Sequence, residues 1–245
     1  EGDQGPDGLI EKEFRMIEII AVCAAMSAVS INNVNAQTQV PLVAVAPVSA
    51  APAGAKVLFG GRQADVAANW YKRRTTNAPG WTVGNESQLV PSDKSDITTR
   101  DEFGDCYLHV EFKTPTTGHG NAGVALQGRY EVQIHNMEGE KLNDTNLGAF
   151  YSQKPARVNA AKKAGEWQTY DIVFRAPRFD AAGKEIEKPR ATVILNGIVV
   201  HNNESFNDMT GIQYELFKGP GAKGPIVLQG DHDAVQYRNV WVIGL

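Results

Sequence analysis

Cysteine is almost missing from this chain of 245 residues, which has only Cys23 and Cys106. Two thiols at most make one bridge, and Cys23 sits in a segment expected to be removed, so a disulfide framework is excluded and the fold must hold by packing. Positive charge is also short: 24 Lys and Arg against 28 Asp and Glu leave a formal net charge of −4. The only compact cationic run is Lys72-Arg73-Arg74, which reads as a solvated loop. That balance excludes a nucleic-acid surface, which needs a basic stripe to neutralise phosphates. Metal motifs are lacking as well: there is no HExxH, no paired CxxC and no EF-hand loop, and His119 in the Gly-rich Thr117-Gly118-His119-Gly120-Asn121 matches none. Beyond the first residues no segment keeps a helical period for three turns. The longest apolar stretch, Ile19 to Val29, is too short to cross a bilayer.

That stretch has the length of a secretory h-region. It follows Met16, and Val34-Asn35-Ala36 offers small residues for cleavage, although Glu11, Glu13 and Glu18 offset Lys12 and Arg15 ahead of it. The expectation is a leader over 1–37 and a secreted or periplasmic product with no stable membrane insertion once the signal is removed. Residues 38–55, mainly Val, Ala and Pro, read as an extended linker, and the folded domain is expected over 56–245. With 42% hydrophobic residues, such a domain can bury one core.

What the domain does contain is short strand-like runs with turn residues between them. They are Asp105 to Phe112, Ala122 to Ala125, Arg129 to His135, Trp167 to Arg175, Ala191 to Leu195, Ile198 to His201, Ile226 to Gln229 and Val235 to Ile243. Asn196-Gly197 between two β-branched runs predicts a hairpin. The fold class is therefore all-β, two packed antiparallel sheets in a sandwich or jelly roll. Cys106, at a strand start, is expected to be a small buried residue, and Trp81 and Trp167 are expected in the core. Gly120, Gly123 and Gly128 are expected to serve tight turns and close strand approach.

One strand carries unusual chemistry. Arg129, Glu131, Gln133 and His135 fall on one face, and Tyr130, Val132 and Ile134 on the other. The polar row consists of groups that grip hydroxyls and move protons. His109, Glu111 and Lys113 alternate with Leu108, Val110 and Phe112 in the same way; Gln229 precedes Asp231 and His232 in a turn; Arg238 lies beside Asn239 on the last strand. The expected catalytic residues are Glu131, His232 and Glu111. Arg129, Gln133, Gln229, Arg238, His109 and Asn121 are expected to bind substrate. The bland alternative is a solvated sheet face with cross-strand ion pairs. No cofactor is expected; a divalent metal held by Glu111, Glu131 and His232 is compatible with the residue types, and the spacing assigns none.

A set of blocks then narrows the field. Leu58-Phe59-Gly60-Gly61, Trp81-Thr82-Val83, Glu102-Phe103-Gly104-Asp105, Gly120-Asn121-Ala122-Gly123-Val124, Gly128-Arg129-Tyr130-Glu131-Val132-Gln133-Ile134, Gly165-Glu166-Trp167-Gln168-Thr169-Tyr170-Asp171-Ile172, Gln229-Gly230-Asp231-His232 and Tyr237-Arg238-Asn239-Val240-Trp241 follow one another through the domain. In this order they resemble the 3-keto-disaccharide hydrolase domain family. The resemblance implies a concanavalin A-like jelly roll whose concave face handles an oligosaccharide or glycoside substrate, in secreted proteins that break down 3-keto-glycosides. Under it, Glu131 is the expected base of an elimination followed by hydration, with His232 assisting the leaving group. Two other readings stay open: a conventional glycosidase with Glu111 and Glu131 about 5 to 9 Å apart, and a non-catalytic lectin-like module on the same scaffold.

Overall fold

The computed structural model describes residues 50–210 and 219–245. The expected leader, Cys23 and most of the linker lie outside them. In chain order the elements are β1 (Lys56–Phe59), α1 (Gln63–Asn69), β2 (Trp70–Lys72), β3 (Thr82–Val83), β4 (Leu89–Val90), β5 (Ile97–Thr99), β6 (Cys106–Lys113), β7 (Ala122–Leu126), β8 (Tyr130–Ile134), β9 (Trp167–Arg175), β10 (Arg178–Phe179), β11 (Glu185–Glu187), β12 (Arg190–Leu195), β13 (Ile198–Ser205), β14 (Val227–Leu228) and β15 (Gln236–Gly244). Among the described residues one sheet has eight strands, ordered β13-β12-β9-β6-β15-β4-β3 with β1 also on β15, and a second has five, ordered β2-β5-β14-β7-β8. Each pairing is antiparallel. The all-β sandwich expected from the sequence is what forms.

The alternation in the sequence explains which faces meet. Leu108, Val110 and Phe112 of β6 and Tyr130, Val132 and Ile134 of β8 belong to one buried cluster, joined by Ile172 and Phe174 of β9 and by Val124 and Leu228. Because successive strand residues point to opposite faces, the intervening residues of each strand face away from that core. Two phenols from the larger sheet cross it: Tyr170 Oη donates to the Gln133 carbonyl and Tyr237 Oη to the Gln229 carbonyl at 2.8 Å. Each satisfies a buried polar group, a contribution of about 1 kcal/mol, and each ties the eight-stranded sheet to the backbone beneath the residues discussed below.

Local details follow the same logic. Asn196 and Gly197 both take positive φ, 52° and 82°, the pair of values a two-residue hairpin needs, and Leu195 pairs with Ile198. Cys106 is buried, and burial pushes its thiol up to about 12, so it is inert packing. Helix α1 was not foreseen. At seven residues it is too short to show a period; it is held by Asp65, whose Oδ2 accepts from the backbone N–H groups of Gly60 and Arg62 at 2.9 and 3.2 Å. Trp81 is core, stacked on Tyr237 with its Nε1 donating to the Ser95 carbonyl. Trp167 corrects the expectation: it lies on the outward face of β9, beneath the Arg238 guanidinium at 4.1 Å and the Lys113 ammonium at 4.8 Å.

Candidate active site

The outward face of the five-stranded sheet is where polar groups converge. Register places Glu131 beside Ala125, Ala125 beside Val227, Val227 beside Thr98 and Thr98 beside Tyr71, all on one face. Ala125 and Val227 form a small apolar cluster separate from the main core, as residues on the far side of the sheet must. The neighbouring row begins with Gln133 beside Gly123, and the backbone N–H of Gln229 donates to the Gly123 carbonyl at 3.0 Å.

Glu131 is 1% exposed, and its backbone N–H is taken by Thr210 Oγ1 at 2.7 Å. Its side chain lies flat over Gly123: a Cβ built there would sit 2.2 Å from Glu131 Oε1. Gly123 is thus the close-approach glycine expected, and the thing approaching is the carboxylate. Gln133, 2% exposed, donates from Nε2 to Asn121 Oδ1 at 3.0 Å, while its Oε1 has no hydrogen-bond partner among the described residues. A buried acceptor left open is costly unless a ligand or water fills it. Asn121 in turn donates its backbone N–H to Asp233 Oδ2 at 2.8 Å and accepts from the Asp233 N–H at 3.2 Å. This clamp fixes the turn that carries Asp231 and His232 beside Gln133.

A buried ion pair completes the face. Arg73 Nη1 lies 2.5 Å from Asp96 Oδ2, the two side chains being 7% and 3% exposed, and Asp96 Oδ1 accepts from the Gly230 N–H at 3.1 Å. Asp231, next along the chain, has its carboxyl raised above the usual carboxylate range by partial burial and by the Asp96 charge, with His232 opposing. His232 Nδ1 is 3.7 Å from Asp231 Oδ1 and the ring is half exposed. The Tyr237 phenol reports the convergence from below: burial raises it well above its ordinary value, and the charges of Asp96, Glu131 and Asp231 all add to that. A buried carboxyl group on β8 and a second, in the turn after β14, that is raised from its ordinary value are the two kinds of group that removal of one proton and delivery of another require.

Of the residues expected from the sequence, Glu131, Gln133, Gln229, Asn121 and His232 are gathered here. Arg129 shares the face, but its Nε donates to the Gly219 carbonyl at 2.9 Å and its Nη1 to those of Gln127 and Lys223, so it secures the backbone around them. His135 ends the row, its ring stacked on His119 at 5.6 Å. His109, Glu111 and Arg238 are elsewhere, and this corrects the expectation of one shared face. They point away from the core on the eight-stranded sheet, since Leu108, Val110 and Phe112 point into it. Two packed sheets are about 10 Å apart, so groups on opposite outer faces are farther apart still. Glu111 and Glu131 therefore cannot flank one glycosidic bond, and Glu111, Glu131 and His232 cannot hold one metal. Among the described residues no three His, Cys, Asp or Glu side chains cluster as a metal site.

The sequence reading missed Arg73 and Asp96 and gave Asp231 no role. Lys72-Arg73-Arg74 is not simply a solvated loop, because its middle residue is buried against Asp96. Only the β2–β5 and β5–β14 pairings bring that pair beside Gln229, and no local signal marks them.

Because the Glu131 carboxylate rests on Gly123, Gly123→Ala is expected to displace it by about 1 Å and lower turnover about a hundredfold. The overlap also reaches Cδ and Cγ of this buried side chain, at 2.8 and 2.9 Å, so the melting temperature is expected to fall by about 5 °C. Unchanged turnover in the folded variant would show that Gly123 does not seat the carboxylate.

A sequence profile of the 3-keto-alpha-glucoside-1,2-lyase-like domain matches residues 54–243. No curated protein matches the chain. Among solved structures, one described as a candidate glycosyl hydrolase from Parabacteroides distasonis ATCC 8503 is 30% identical, covering 87% of this chain and 94% of its own, with a TM-score of 0.68. A second from the same organism, described likewise, is 18% identical over 78% of this chain and 94% of its own with a TM-score of 0.55, which speaks to fold alone.

Proposed function

The chain belongs to the 3-keto-alpha-glucoside-1,2-lyase-like domain family, and from that premise we propose that it is a carbohydrate-active enzyme that cleaves 3-keto-glycosides by elimination and hydration. A ketone at carbon 3 acidifies the hydrogen on carbon 2. A base removes that proton, the electron pair passes into the carbonyl as an enolate, and its return expels the aglycone oxygen from carbon 1, which takes up a proton as it leaves. Water then adds at carbon 1 of the resulting enone.

The observation that carries this reading is the placing of Glu131, a carboxylate 1% exposed, beside the open Oε1 of Gln133. Glu131 is assigned the carbon-2 proton. Asp231, with its raised carboxyl, is assigned the leaving oxygen, and His232 beside it exchanges that proton with solvent. Gln133 Oε1 accepts from a sugar hydroxyl. Arg73 and Asp96, at the β2 and β5 side of the face, are assigned a positioning role: Asp96 holds the Gly230 N–H of the turn that carries Asp231. The family description and the P. distasonis likeness support the substrate class. The apolar stretch Ile19 to Val29 supports a site of action outside the cytoplasm, which fractionation of producing cells would check.

One panel tests the reading: binding and turnover measured separately on 3-keto-glucosides and on the same glucosides unoxidised. Turnover of the oxidised set alone is expected. Turnover of both sets would replace elimination by ordinary glycoside hydrolysis, and binding without turnover would make the domain a lectin.

A further inference from the structure

The row that starts at Glu131 does not end at the apolar pair Ala125 and Val227. It continues to Thr98, and there the face opens into a shallow hollow of about 380 Å³, largely open to solvent, lined by Arg74, Thr75, Thr76, Thr98, Arg100 and Glu102. Three strand spacings of about 4.8 Å put Thr98 about 14 Å from Glu131, too far for a single sugar ring to touch both.

Arg100 sets the chemistry of this hollow. Its Nε donates to the Ala67 carbonyl at 3.2 Å, and its guanidinium carbon lies 3.8 Å over the Tyr71 ring. A hydrogen bond at one edge and stacking on one face hold the guanidinium plane. The two terminal nitrogens take no partner among the described residues, so a fork is left oriented and open. Such a fork matches two oxygens of a carboxylate, sulfate or phosphate better than it matches single hydroxyls. Arg74 and Glu102 line the same hollow. The threonine hydroxyls suit the remaining sugar oxygens.

We propose that this hollow is a subsite for an anionic group carried by the glycoside on the portion remote from the bond being cleaved: the carboxylate of a uronic acid unit, or a sulfate or phosphate ester. The proposal rests on the reaction assigned above, because it makes Glu131 and Arg100 two ends of one substrate groove.

The test uses three 3-keto-disaccharides that differ only at the distal ring: one with a neutral hydroxymethyl group, one with a carboxylate and one with a sulfate ester. Turnover is measured on these, and calorimetric binding on their unoxidised forms. At low ionic strength KM is expected to be at least tenfold lower for one or both anionic probes than for the neutral one. Whichever anion gains more identifies the source. In Arg100→Leu the ratio of neutral to anionic KM should collapse to near one, and Arg100→Lys, which keeps the charge without the fork, should recover only part of it. Circular dichroism melting of each variant shows whether it is folded; should Arg100→Leu fail, the Lys variant and the wild-type ratios carry the decision. Equal KM for all three probes, or a ratio that survives Arg100→Leu, overturns the subsite. Anion preference in binding without turnover keeps the subsite and rejects the reaction, whereas turnover without preference does the reverse.

Discussion

Glu131→Gln is expected to lower kcat on a 3-keto-glucoside by about a thousandfold, the central part of the range for a positioned general base. The substitution keeps size and shape at a site that is 1% exposed, so packing around β8 should survive and the melting temperature should shift little. It replaces a basic carboxylate with an amide, which does not take up the carbon-2 proton. The diagnostic is exchange at that carbon: in deuterated water the wild-type protein should incorporate deuterium at carbon 2 of a 3-keto-sugar, followed by NMR, and the variant should not. KM should change less than kcat, because Gln133 and the rest of the face still bind hydroxyls. Full turnover by the variant would remove Glu131 from the chemistry and the elimination scheme with it.

The second large effect is on stability and arises on the other side of the molecule. His109, fully buried, has Nδ1 2.7 Å from Asp171 Oδ1 and Nε2 3.7 Å from Glu111 Oε1, with Trp241 stacked on its ring at 5.0 Å. Asp171 also accepts from Tyr107 Oη at 2.8 Å; Glu111 accepts from Arg238 Nε at 2.6 Å and Asn239 Nδ2 at 2.9 Å. Asp171→Ala takes the acceptor from the fully buried His109 Nδ1 and one partner from the half-buried Tyr107 hydroxyl, and is expected to cost about 3 kcal/mol, roughly 10 °C in melting temperature for a domain of this size. Turnover measured well below the melting point should be unchanged, because the network lies across the core from Glu131. Lost turnover in a folded Asp171→Ala protein would mean that the two faces are coupled.

The same network sets pH limits. Burial alone would raise the Glu111 carboxyl, but hydrogen bonds from His109, Asn239 and Arg238 hold it at about 2, below its ordinary 4.5. A depressed folded value means that this contribution is present above about 4.5 and is lost as pH falls toward 2. Burial pulls His109 down, and Asp171 and Glu111 outweigh it and raise it above 6.5. Its contribution is therefore complete below that value and is lost as pH climbs through the raised one. Denaturant midpoints followed across pH should show both edges in the wild-type protein, and both should shrink in Asp171→Ala.

The longer strands were legible in the sequence, β6 to β9 and β12 to β15, and β9 was read to its ends, Trp167 and Arg175, whereas β1 to β5, β10 and β11 were too short to show a pattern. Strands announce themselves because alternation, β-branching and turn residues are properties of neighbours in the chain. The candidate site was half legible. The polar row of β8 was visible for the same reason, and so was the row of β6, yet nothing local distinguishes a polar face that meets Gln229 from one that meets Arg238. Glu111 and Glu131 looked alike as letters. They differ only in which sheet their strand joins.

By itself, then, the sequence determined that this domain is a β-sandwich and which residues of β6 and β8 look inward, because side-chain direction in a strand repeats every two residues and needs no partner to be known. The tertiary structure alone decided which outward groups work together. Asp96 meets Gly230 across 134 positions of chain and Asn121 meets Asp233 across 112. Such meetings depend on strand order and register, which are settled by closing the common core and not by any segment's own pattern. That is why Arg73, Asp96 and Asp231 entered the site only with the fold, and why His109, Glu111 and Arg238 left it.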